Sequence, residues 1–570
     1  MLARADALEA LSEERFDVLV IGGGVTGAGV AFDAASRGYS VALVERADWA
    51  SGTSSRSSKM VHGGLRYLQN FDLGLVREAL LERRVLVSMA PHLVYPTPFL
   101  VPTLGEERRS RLVGIGLNMY DVMATTRVGQ GRELRGEESW SPERHRTIPG
   151  EEAVELVPAL AALEPRDAYL FYDCQTDDAR LVLTILGEAE RFGAVCANGL
   201  DAVELLEDGG RAAGAVCVDR ASGARLEVRA ANVVNATGVW ADRLRPEEIR
   251  SEAEIPRIAP SRGTHITLSA SDLDMGRAAC VVPAGEDRTI FALPWYGRTL
   301  VGTTDRPYEG DLEHVAPSQD DIDYLLEALN DFFSLRLDRS HITGAYAGVR
   351  PLISTGDQHR SVDISRKAEL YETSSGMLTI TGGKLTTWRR MAKQVVDRLV
   401  EREGREAPCR TAELPLGMPA SEEDLAPPPG VELPEGAREL LAFRYGHAAR
   451  QVLALAGERP ELARPIVPGM PDLLAEVVVA ARYEQARSVG DVLLRRTRLG
   501  LLAAPDLRRA EDVLPVARAL GGELGWDEAR VRAEAHAWLE EARAEGIDPA
   551  AASGEATGGG PKLEGRASRA

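Results

Sequence analysis

The first residues to show a clear pattern are Phe16 to Ile21, an apolar run broken only by Asp17. The run is too short for a helix and suits a strand buried on both faces. After Gly22, Gly23 and Gly24, residues Thr26 to Arg37 repeat apolar and small positions at helical spacing. Ser40 to Val44 returns to a short apolar strand and ends in Glu45. The pattern predicts a β-α-β unit whose turn carries Gly22, Gly24 and Gly27 at G-x-G-x-x-G spacing.

Further along, Asp201 to Leu206 and Ala212 to Asp219 flank Asp208-Gly209-Gly210 and predict a β-meander inserted between the halves of the first sheet. Asn232 to Asn235 predicts a strand running into Ala236-Thr237-Gly238 and a short helix from Val239. Thr289 to Trp295 and Thr299 to Thr304 read as adjacent antiparallel strands. Leu378 to Thr381 reads as a strand whose Gly382-Gly383-Lys384 turn opens a helix through Leu399. Leu414 to Gly436 carries six prolines and reads as a linker. Amphipathic helices are expected beyond it, over Asp472–Gln485, Val489–Leu502 and Ala510–Leu520. The last stretch, Gly546 to Ala570, reads as a disordered tail.

Composition narrows the class. The 570 residues are 44% hydrophobic and 27% charged, ordinary for a folded protein of several domains. A net charge of -20 argues against a nucleic-acid partner held by bulk electrostatics. Cys174, Cys196, Cys217, Cys280 and Cys409 show neither disulfide nor metal spacing, so no metal is expected. Met1 to Phe16 lacks the apolar core of a signal peptide, and no run of 18 apolar residues exists. A cytoplasmic setting is the expectation. Only five lysines occur, at 59, 367, 384, 393 and 562, which singles out each of them.

The glycine turn points to a dinucleotide: glycines allow the tight bend, the approach of backbone N–H groups to a pyrophosphate, and close helix–sheet packing. Glu45 can bind ribose hydroxyls and would repel a ribose phosphate, which favours NAD or FAD over NADP. A plain glycine turn is the alternative. Ser51 to Ser58, including Ser54, Ser55 and Ser58, offers donors along a pyrophosphate or a flavin edge, or else is a solvated loop. Gly383, Lys384, Leu385, Thr386 and Thr387 at a helix start suit an anion or a flavin carbonyl, or else a simple cap. They are not a P-loop, because Leu378 stands at the first glycine position and Leu385 follows the lysine. Gly348-Val349-Arg350-Pro351 fixes an arginine, and Arg366 follows the short strand Val362–Ile364. His265 lies beside Gly263, as a core histidine or a functional one.

Taken in order, Gly22–Gly29, Thr53–Lys59, His62-Gly63-Gly64-Leu65-Arg66-Tyr67, Met89–Leu93, Asp177–Leu181, Asn235–Gly238, Gly302–Asp305, Gly348–Leu352 and Gly382–Thr387 resemble the FAD-dependent glycerol-3-phosphate dehydrogenase family. Arg495-Arg496-Thr497 also matches; the tail does not. The resemblance implies an α/β protein. It would have a doubly wound FAD domain of discontinuous segments (1–100, 165–250, 345–410) and an α+β substrate domain with an antiparallel sheet (101–164, 251–344). A linker (411–436), an all-α C-terminal domain (437–545) and a tail (546–570) would complete it.

It implies hydride transfer from sn-glycerol 3-phosphate to FAD, giving dihydroxyacetone phosphate, with electrons passed to a quinone. Arg66, Tyr67, Arg366, Lys384 and Thr387 would hold the phosphate, Arg350 would polarise the forming carbonyl, and His265 or His62 would take the proton. FAD would contact Gly22, Gly24, Gly27, Glu45, Ser54, Ser55, Ser58, Gly64, Ala236, Gly238, Gly383, Leu385 and Thr386. A quinone implies peripheral contact with the inner face of the cell membrane. The amphipathic stretch from Arg108 to Arg127 suits that contact, or else a core or dimer helix, and a homodimer is a further expectation. Three rival readings are an oxygen-reducing oxidase, a related oxidase of amines or 2-hydroxy acids, and a flavin-binding scaffold without turnover. The extra insertion expected of the phosphate oxidase is absent from the substrate region.

Overall fold

The computed structural model describes residues 1–64, 73–105, 111–125, 143–244, 257–285, 288–354 and 368–552. Arg66, Tyr67, Arg366, the expected strand Val362–Ile364 and the tail from residue 553 lie outside the described residues.

The first sheet grows outward from Arg15–Ile21, which pairs in parallel with Val41–Val44 and with Arg225–Asn235. Val195–Ala197 extends it on one side, and Leu378–Gly382 extends it on the other. Val18 and Val20 face a layer containing Val25–Ser36, Asp178–Arg191 and Trp388–Glu403. Leu19 and Ile21 face the opposite layer, with Ala7, Leu11 and Cys217. A strand read as an apolar run is thus covered on both faces, as parallel strands require. The meander is present: Leu200–Asp208 pairs with Arg211–Asp219, which pairs antiparallel with the first half of Arg225–Asn235.

Among the described residues the second sheet has ten strands and is mostly antiparallel. Thr289–Trp295 and Arg298–Gly302 pair as expected. Its membership corrects two expected boundaries. Asp167–Gln175 and Ile342–Ser354 belong to this sheet, because they pair along their length with Tyr95–Thr103 and Arg257–Ser269 respectively. Local pattern cannot show a pairing partner so far away in sequence.

Helices from Ala437 onward pack on one face of that sheet, where Val477, Leu501 and Trp538 meet Phe99, Leu293 and Tyr346. Two further expectations are corrected here. Val489–Leu502 is not one helix: a π-turn over Val492–Arg496 and a left-handed Arg498 (φ 67) break it. Packing also continues past Glu545, since Ile547 is buried and its carbonyl accepts the Ala345 N–H. The proline-rich stretch has neither helix nor strand, yet Leu416 is fully buried and its N–H reaches the Met89 carbonyl.

Inside the helical domain Arg444 lies between Asp472 (2.9 Å) and Glu476, all three buried. Burial, with one cation shared by two carboxyls, pushes the Asp472 carboxyl up to about 7. The folded chain holds a proton there that the unfolded chain releases near 3.8. Its contribution to stability is complete below about pH 4 and is lost as the pH rises through about 7. Asp472→Asn should therefore gain about 2–3 kcal/mol over the wild type between pH 5 and pH 8, read by urea unfolding at the two pH values.

Candidate functional site

The turn after Arg15–Ile21 works because Gly22 takes φ 115, and a Cβ there would meet the Ala236 carbonyl oxygen at 2.7 Å. Gly27 lets the following helix sit on the turn, since its Cβ would fall 1.9 Å from the Gly22 oxygen. Glu45 locks the turn: one carboxylate oxygen accepts the Gly23 N–H (2.6 Å) and the other the Ala47 N–H (2.8 Å). Burial raises its carboxyl pKa against those two donors. Ser54 Oγ accepts the Val25 N–H at 2.9 Å and so ties the serine loop to the helix start.

A cavity of about 420 Å³ opens at the carboxyl ends of the parallel strands Arg15–Ile21, Arg225–Asn235 and Leu378–Gly382. Gly22, Gly24, Glu45, Ser54, Ala236, Gly238, Gly383 and Leu385 line it, joined by Lys384, which was expected on the substrate. Gly27 supports the turn from behind the wall. Gly64, Ser55, Ser58 and Thr386 also do not line the cavity. Ser55 offers its carbonyl to Lys59, Ser58 meets His265, and Thr386 Oγ1 accepts the His62 N–H. A strand-end cavity, a helix N-terminus, an acid for ribose and left-handed glycines at 22, 238, 382 and 383 together fit a flavin dinucleotide.

The other half of the site lies on the second sheet. His265 pairs with Tyr346 across two strands, and Arg350 follows on the same face. Glycines clear that face. A Cβ at Gly263 would meet the Arg350 guanidinium at 2.5 Å, and one at Gly302 would meet the His265 ring at 2.2 Å. Arg350 reaches Asp305 (3.4 Å), Thr303 Oγ1 (3.2 Å) and the Thr304 carbonyl (3.2 Å). His265 Nε2 lies 2.8 Å from Ser58 Oγ, and its Nδ1 is buried without a partner among the described residues.

Protonation is disfavoured at both expected bases. Burial, reinforced by Lys59 and Arg350, lowers His265 well below the usual histidine value. Burial lowers His62 to about 4, with Lys384 and Arg83 acting the same way and Asp173 opposing. The hydroxyl of Thr387 turns back to the Lys384 carbonyl at 3.3 Å.

Residue-type reasoning missed several contributors. Trp49 fills the space beside Gly23, and its neighbour Asp48 is held by Arg495 (2.5 Å) and Arg496 (2.9 Å) from the C-terminal domain. Lys59 is fully buried against Asp178, and Arg498 bonds both Asp177 and Asp178. The scarcity of lysine and the Arg-Arg-Thr triplet were the available signals.

This combination of fold and cavity defines a flavin-dependent oxidoreductase. Residues 17–389 match the family described as FAD dependent oxidoreductase, and 376–531 match the C-terminal domain of alpha-glycerophosphate oxidase. Glycerol-3-phosphate dehydrogenase 2 of Mycobacterium tuberculosis is 37% identical, covering 96% of this chain and 91% of the relative. A probable mitochondrial glycerol-3-phosphate dehydrogenase of Caenorhabditis elegans is 36% identical, covering 95% and 74%. The solved glycerol-3-phosphate dehydrogenase of Bacillus halodurans, complexed with FAD, superposes with a TM-score of 0.73 at 28% identity, covering 95% of this chain and 97% of that one. The chain belongs to the FAD-dependent glycerol-3-phosphate dehydrogenase family, and FAD is its cofactor.

Gly22→Ala places a side chain against backbone in a left-handed conformation, a strain of about 1–3 kcal/mol. The variant should hold FAD at least roughly tenfold more weakly, measured by flavin release on dilution.

Proposed function

We propose that the chain oxidises sn-glycerol 3-phosphate to dihydroxyacetone phosphate on its bound FAD and delivers the electrons to a quinone. One observation carries the reading: Arg350 and a neutral His265 share the glycine-cleared face of the second sheet, and Lys384 lies on the cavity wall. The phosphate's charge calls for several directed donors, and among the described residues Lys384 on the cavity wall is placed to supply one.

Oxidising the secondary alcohol removes a hydride from carbon and a proton from oxygen. FAD, when bound, supplies the two-electron acceptor. The proton requires a base that is neutral beforehand, and His265 and His62 both meet that condition. Arg350 would stabilise the charge that gathers on the forming carbonyl oxygen. His265 is the preferred base, because it shares a sheet face with Arg350.

A quinone acceptor dissolves in lipid, and one surface suits a membrane. On the helix Arg111–Thr125, Ile115 (57%) and Val122 (62%) are exposed while Leu117 and Tyr120 are buried. Among the described residues no helix is long and apolar enough to cross a membrane. We assign this helix to peripheral contact at the cytoplasmic leaflet.

Anaerobic sn-glycerol 3-phosphate should abolish the yellow flavin absorbance, and a soluble quinone should restore it faster than oxygen. Faster recovery with oxygen would make the chain an oxidase, and no change in a loaded sample would overturn the substrate. His265→Asn should lower kcat roughly 10²–10⁴-fold with FAD retained. Ile115→Asp with Val122→Asp should reduce flotation with anionic liposomes and leave turnover with a soluble quinone intact.

A further inference from the structure

Lys59 does not line the cavity, yet it is built into the structure with unusual care. It is fully buried and adopts φ 58, a left-handed conformation that costs a non-glycine residue energy. Its ammonium donates to the Ser55 carbonyl (2.6 Å) and to both oxygens of Asp178 (2.9 and 2.8 Å). Those three bonds hold it 4.7 Å from the centre of the Tyr346 ring. The same ring stacks on His265 at 4.8 Å and 9°, and its hydroxyl donates to the Ser57 carbonyl at 2.8 Å. The next residue, Ser58, meets His265 Nε2.

We propose that Lys59 is a positioning residue for the reaction: anchored by Asp178, its ammonium holds Tyr346 and the Ser57–Ser58 backbone, and through them fixes the seat and the electrostatic field of the His265 imidazole. The proposal rests on the reading of His265 as the base.

The Lys59 ammonium also lies 5.6 Å from the centre of the Trp295 ring. Lys59 and Arg498 face Asp177 and Asp178, two cations against two anions. Around His265 the charged or titratable groups are Lys59 from the serine loop and Arg350 and Tyr346 from the strand Ile342–Ser354. Its neighbour on the strand Arg298–Gly302 is Gly302, without charge. An arginine could supply the charge but not the compact, three-donor contact. Nor could it titrate, whereas burial lowers Lys59 to about 8 despite Asp178.

The test uses the full-length, FAD-loaded chain without substrate, carrying ring-labelled histidine, with the His265 signal assigned by His265→Asn. In the wild type the His265 ring signal should inflect near pH 8 as Lys59 loses its proton. In Lys59→Met with Asp178→Asn, which leaves no unpaired charge at that pair, the inflection should vanish. The acid limb of kcat/KM should also move to higher pH. A folded double variant whose His265 ring signal matches the wild type at every pH overturns the proposal. So does a folded double variant with the wild-type acid limb. Failure to oxidise sn-glycerol 3-phosphate would overturn the functional reading alone, because the NMR titration needs no turnover.

Discussion

Asp48, Asp177 and Asp178 are buried carboxylates, and each needs a cation close by to remain charged away from water. One short piece of chain supplies most of that charge: Arg495 and Arg496 for Asp48, Arg498 for Asp177 and Asp178. Asp48 precedes the tryptophan that packs beside Gly23, so the first pair of contacts fixes the cofactor turn. Asp178 anchors Lys59 and Ser57, so the second fixes the loop that touches His265. Cofactor turn and candidate base are thereby referenced to the same few residues of the helical domain. That domain is part of the site rather than an appendage to it.

The backbone around this network explains its cost. Seven non-glycine residues among those described have positive φ, and Ala50, Lys59 and Arg498 all lie at or beside these ion pairs. Arg498 must leave the helix to bond two aspartates on another domain, and the π-turn just before it widens the helix as it does so. Such strain persists only where surrounding contacts over-determine it, as buried bidentate pairs do.

The limits of sequence reading follow from the same physics. Gly22, Gly24, Gly27 and Glu45 were legible because a β-α-β turn is local: strand, bend and helix lie within one short segment. Gly238 and Gly383 were legible for the same reason, each closing a strand with a small-residue turn. The assignment of Asp167–Gln175 to the second sheet was hidden, because only its partner Tyr95–Thr103 decides it. The break in Val489–Leu502 was hidden as well, since the apolar spacing is helical and the partners of Arg498 at the break, Asp177 and Asp178, lie far away in sequence. Ser55, Ser58 and Thr386 illustrate a subtler limit. Hydroxyl residues beside a cofactor turn resemble ligands, yet here the Ser55 carbonyl holds Lys59 while the Ser58 and Thr386 hydroxyls meet the His265 ring and the His62 N–H.

The cations near the site serve two ends in the proposed reaction. Arg350 and Lys59 beside His265, and Lys384 beside His62, oppose protonation of those imidazoles before substrate arrives. The same local charge attracts a phosphate dianion to a protein whose net charge is -20, because screening confines the bulk repulsion to about 10 Å while the site acts at contact distance. Once the dianion binds, its charge offsets part of the field on the imidazole and makes it a better proton acceptor. In the proposed reaction the candidate base would thus resist protonation in the empty site and be strengthened when the alcohol is in place. A single charge arrangement couples substrate recognition to readiness for proton removal.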